Sequence, residues 1–152
     1  MKRFEMKSAA AAATLLAMGA YAGGAFAHTQ GGGLGGSAAA VDYYQVTCSN
    51  DGSGAPLSLE AQIADNSGNG SRAIALIQKG NLASNATDAT EGDGIAAYGA
   101  FVFVNGGAGV YNLSVAHTAA AADTYQVQFH CMTGNNGTGV HTGTAVSNKQ
   151  NQ

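Results

Sequence analysis

The sequence predicts an all-β protein: an antiparallel β-sandwich of the jelly-roll or immunoglobulin-like kind, with about seven strands and one disulfide. Three observations predict it. From residue 41 onward apolar side chains recur at every second position, the period of half-buried strands, and no window carries a 3.6-residue stripe. Clusters of Asn, Asp, Gly and Ser interrupt these stretches at 49–54, 65–70 and 105–107, where Gly and Asn tolerate the positive φ of tight turns. The two cysteines fall on stretches whose same-face neighbours are apolar.

The chain opens with a segment for export. Lys2, Arg3 and Lys7 precede the small, apolar run SAAAAATLLAM, and Ala25-Phe26-Ala27 supplies the small residues a signal peptidase reads. Residues 1–27 are therefore expected to be a secretory signal peptide, cleaved between Ala27 and His28. The run is rich in Ala and falls short of the roughly 20 strongly apolar residues of a membrane span. Residues 28–152 then carry three basic and eight acidic residues, a net charge of −5. No cluster of Lys and Arg remains to displace counterions from phosphates, which excludes a nucleic-acid partner. The expected location is the periplasm or the extracellular space, with no membrane span after cleavage.

Residues 28–40 hold five glycines and no periodicity, and are expected to form a flexible leader. A domain at 41–146 follows, then a polar tail at 147–152. Its strands are expected at 41–48, 56–64, 71–78, 96–104, 109–117 and 123–131, with a weaker one at 138–144. The stretch 79–95 reads as a long loop. Seven short strands at this spacing fit two packed antiparallel sheets.

Phase assigns the faces. Tyr44, Val46 and Cys48 share one side of the first strand, and Tyr125, Val127, Phe129 and Cys131 share one side of the sixth. Both cysteines then point into the core, in a compartment where thiols oxidise, which predicts a Cys48–Cys131 disulfide. Tyr44, Tyr111 and Tyr125 are expected to pack their rings inward and give their hydroxyls to backbone acceptors. Tyr43, on the opposite face, is a candidate surface for stacking on a sugar or packing on a partner.

The strand beginning Val41-Asp42-Tyr43-Tyr44, the late Gly109-Val110-Tyr111-Asn112-Leu113-Ser114-Val115 and the closing Asp123-Thr124-Tyr125-Gln126-Val127, in that order, resemble the bacterial pre-peptidase C-terminal family. The resemblance covers about residues 41–131. It implies a jelly-roll-like sandwich that accompanies secreted enzymes as a non-catalytic module for substrate or surface binding. The two cysteines are an addition to that pattern.

Four histidines carry the candidate chemistry. Cleavage after Ala27 makes His28 the new terminus, where its α-amine and imidazole can chelate one ion, and a second imidazole would complete a three-nitrogen arrangement suited to copper(II). His130 is the preferred second ligand, ahead of His141 and His117, and Met132 is a candidate soft axial ligand. Calcium is a lesser alternative. Asp65 to Gly70 resembles half of a calcium loop but has Leu76 where the bidentate Glu belongs, while Asp88, Glu91 and Asp93 form an acidic cluster in the long loop. No GxSxG, HExxH or GxxxxGK[ST] motif occurs, so the chain is expected not to be an enzyme. The leading expectation is an exported binding or surface-assembly module whose partner is a glycan, a cell-surface component or another exported protein. The alternatives are a periplasmic copper-binding protein, and an extracellular filament subunit whose leader adds a strand to the next molecule's sheet edge.

Overall fold

The computed structural model describes residues 28–90, 92 and 97–152. The expected signal peptide and the candidate ligands Glu91 and Asp93 lie outside the described residues. Nine strands are present among them: β1 His28–Leu34, β2 Asp42–Ser49, β3 Ser58–Asp65, β4 Ala73–Lys79, β5 Leu82–Thr87, β6 Val102–Val104, β7 Gly109–His117, β8 Asp123–Met132 and β9 His141–Gln150. A single 3-10 turn, Asn135–Gly137, precedes β9.

All pairings are antiparallel, and the strands follow one path, β5-β4-β7-β2-β9-β8-β3-β6, with β1 added to β8. In place of two separate sheets, β9 joins the halves. Its first residues pair with β8 (His141 with Met132, Thr142 with Cys131), and Gly143 to Gln150 then cross to β2. The path's ends, β5 and β6, lie against each other, so the sheet nearly closes into a barrel.

Alternation fixes the interior as phase predicts. Tyr44, Val46 and Cys48 of β2, Tyr111, Leu113 and Val115 of β7, and Tyr125, Val127, Phe129 and Cys131 of β8 are all buried. The Cys48–Cys131 disulfide is present, with its Cα atoms 5.5 Å apart. It ties β2 to β8 across the place where β9 passes from one to the other. The tyrosines are structural, though two of them bond side chains and not backbone. Tyr125 Oη donates to Asp42 Oδ2 at 2.5 Å and lies 2.7 Å from Tyr44 Oη, while Tyr111 Oη donates to the Gly107 carbonyl at 2.8 Å.

Four expectations are corrected. The leader does not stay free along its length, because residues 28–34 form β1, in register with β8 from His28–Phe129 to Leu34–Asp123. One of its three glycines is what lets it fit: a Cβ on Gly32 would run into the Tyr125 hydroxyl and come within 2.9 Å of Asp42 Oδ2. The loop 79–95 contains β5, which turns back from β4 through Gly80 at φ 59°. The strand expected over 96–104 is reduced, in its described part, to Val102–Val104, with residues 97–101 unpaired as a strand. The weak last strand starts at His141 and absorbs most of the polar tail, because β2 supplies a backbone ladder that asks nothing of the side chains.

Candidate metal centre

The face of β8 turned away from the core should be wet if the sheet alternated simply. It is buried at one end. His130 and Met132 are two residues apart on β8 and share that face. Glu60 on β3 stands directly opposite His130, Phe103 on β6 opposite Glu60, and His141 on β9 opposite Met132. Residues 97–101 run over this face, with Tyr98 Oη donating to Gln126 Oε1 at 3.0 Å and the Phe101 ring 6.2 Å from that of His130. The 3-10 turn closes the other side, where Gly137, at φ 69°, lies so near Phe103 and Glu60 that a side chain there would strike both. Glu60, His130 and Met132 are buried as a result, and His141 is half-buried.

Within this enclosure His130 Nδ1 lies 3.0 Å from Glu60 Oε1, and the His130 and His141 rings stack with centroids 4.1 Å apart. One ligating atom from each of Glu60, His130 and His141 falls within 4.8 Å of the others. Burial first, then the charges of His141 and His28, push the His130 imidazole down to about 4. Burial pushes the Glu60 carboxyl up. His130 is thus neutral at ordinary pH, and its Nδ1–H donates to the carboxylate. That fixes the tautomer and leaves the lone pair on Nε2. His130 Nε2 is buried with no hydrogen-bond partner, one of two such side-chain atoms among the described residues.

This chemistry suits a transition-metal ion. A metal-bound imidazole ordinarily hands its second N–H to a carboxylate, which is the service Glu60 performs. Four-coordinate ions hold their ligands within about 3.5 Å of one another, given bonds of about 2.0–2.2 Å. Nearly parallel stacked rings cannot aim both lone pairs at one ion, so binding requires His141 to turn. As the half-buried first residue of β9, it has the freedom to do so.

The other candidates are distributed differently. His28 pairs with Phe129 and stacks on its ring at 6.2 Å, which puts its side chain on the face opposite to His130, although its charge still reaches that ring. His117 is engaged at both nitrogens, with Asp123 Oδ2 at 2.9 Å and the Ser37 carbonyl at 2.7 Å. Asp88 spends its carboxylate on backbone amides, of Asp65 at 2.8 Å and Thr90 at 3.0 Å. Asp65 accepts from the amides of Ser67 and Ala73, which makes 65–70 a turn that needs no ion. Tyr43 is half-buried, and its hydroxyl is held by Asn112 Oδ1 at 2.7 Å. Sequence reasoning missed Glu60. Its signal was a carboxylate in mid-strand, on the face of β3 that also carries Ser58 and Gln62, but its pairing with His130 depends on a register 70 residues away.

In comparison with known proteins, no family model, no curated protein and no solved structure matches this chain.

Proposed function

We propose that this is an exported, non-catalytic β-sandwich-like module whose ligand is a transition-metal ion, held by His130 and His141 with Glu60 orienting His130. The observation that carries the proposal is the buried, unpartnered Nε2 of His130. Leaving such an atom without a partner costs about 1–3 kcal/mol, and an ion would supply one. Export is supported by the charged, apolar and Ala-x-Ala pattern of residues 1–27 and by the disulfide. A pre-peptidase C-terminal-like character is supported by the order of its three strand motifs, which fall on β2, β7 and β8. The absence of any complete catalytic motif supports a non-enzyme.

The test is calorimetric titration of protein 28–152 with zinc(II) and copper(II), beside His130→Gln and His141→Ala. One-to-one binding that is lost in both variants is expected. Binding that survives in both would refute the centre. A filament reading draws on one further observation, that residues 28–34 form a strand able to pair with a β8 edge. It expects oligomers that disappear when 28–34 is deleted, and a concentration-independent monomer would remove it.

A further inference from the structure

The enclosed face carries one more donor, which distinguishes among metals. Met132 follows His130 by two positions on β8 and is the direct partner of His141 in the β8–β9 ladder. Directly opposed residues on one face hold their Cβ atoms about 4.5–5.5 Å apart. Met132 is only 5% exposed, so its side chain is covered on the face it shares with His130. Its three rotatable bonds let the sulfur adapt to a neighbour's position. Cys131, between the two, points to the opposite face and is oxidised in the disulfide, so no thiolate from it competes at this face.

Resting on the metal-binding reading above, we propose that the centre is a copper site, in which the Met132 thioether joins His130 Nε2 and His141 as the soft donor that selects copper(I). Two imidazoles with a thioether favour copper(I), whereas zinc takes imidazole, thiolate and carboxylate and gains little from a thioether. Glu60 stays on His130 Nδ1 as a positioning residue. The two-sided cover of residues 97–103 and the 135–137 turn leaves His141 as the half-open entrance. The ion is bound in the oxidation state in which it arrives, and no electron transfer is involved.

The experiment is a competition titration of protein 28–152 and its Met132→Leu variant, a substitution that conserves volume. Copper(I) is held by a chromogenic chelator under anaerobic ascorbate, and zinc(II) is titrated in parallel. The expected result is one copper(I) per chain in the wild type. In Met132→Leu the copper(I) affinity should fall by at least the roughly 10–100-fold that loss of an outer-shell partner costs, with zinc(II) affinity unchanged. A sulfur scatterer in the X-ray absorption spectrum of the copper(I) protein should vanish in the variant. Equal copper(I) affinity in the two proteins, or a parallel fall for both metals, would overturn the copper assignment while leaving the metal centre standing. Failure of the wild type to bind either ion would overturn the centre itself, and this inference with it.

Discussion

Replacing both Cys48 and Cys131 by Ala tests how much of the fold depends on one covalent link. The bridge spans 83 residues of sequence, and the chain-entropy relation for a loop of that size gives about 15 cal/mol/K, or about 4.5 kcal/mol at 25 °C. Against a net stability of about 5–15 kcal/mol for a single domain, that is a large share. The position of the bridge matters as well as its span. Cys48 is paired in the ladder with Thr144 and Cys131 with Thr142, so β9 already links the two strands that the disulfide joins. Only two residue pairs connect β9 to β8, and without the disulfide this corner depends on them and on hydrogen bonds such as Cys131 N–H to Thr144 Oγ1 at 3.0 Å and Thr142 Oγ1 to the Ser49 carbonyl at 3.1 Å.

Urea unfolding of the double variant, followed by far-ultraviolet circular dichroism, should show stability lower by about 3–5 kcal/mol. The denaturant slope should rise, because the unfolded chain is no longer held compact. Cys131 also lies between His130 and Met132, so metal affinity should weaken without being abolished. A loss of less than about 1 kcal/mol, below the range for removing a native disulfide, would refute the reasoning. It would mean that β9 alone fixes the corner.

Three further outcomes are expected. Gly32→Ala should destabilise by about 1–3 kcal/mol through overpacking against Tyr125 and Asp42, with faster amide exchange across 28–34. Gly31→Ala, whose nearest neighbour would be the Tyr125 carbonyl at 3.8 Å, should be silent, and equal effects from the two would contradict the register of β1. In metal-free protein the depressed His130 costs stability as pH falls. The unfolded chain binds the proton from about 6.5 and the fold only near 4, so up to about 3 kcal/mol is lost across that window. Glu60, whose carboxyl is raised, opposes this at the acid end; comparing pH-dependent melts of the wild type and His130→Gln isolates the histidine, and parallel curves would contradict its burial as a neutral ring. Extending the chain by one residue ahead of His28 should leave copper affinity unchanged, since the register gives His28 the Phe129 face; a drop of about tenfold, 1.4 kcal/mol, would instead make the terminal amine a ligand.

The parts of this molecule that were legible in sequence are those where side chains do the specifying. Tyr44, Val46 and Cys48 on β2 and Tyr125 to Cys131 on β8 announce both a period and a face, and the disulfide follows from that face. Strands specified by backbone pairing leave no such mark. β1 contributes one fully buried side chain, Leu34, and is located by the absence of a Cβ at Gly32, which composition alone presents as looseness. β5 and the far half of β9 send few side chains into the core, and what holds them is chiefly the ladder of a neighbour.

The candidate site was half legible for a related reason. Alternation assigned His130 to the polar side of β8, and that is its side, but polar does not mean solvated here. β3 is buried almost throughout, Glu60 included, because the 97–103 segment and the 135–137 turn lie over its second face. Burying the Glu60 carboxyl and the His130 imidazole costs free energy that apolar residues at the same positions would not. The pairing of His130 Nδ1 with Glu60 offsets part of that cost, and Nε2 is left without an internal partner. That the fold covers these groups, aligns them across three strands and leaves one lone pair unmatched is what the proposed ion site would account for and a purely structural core would not.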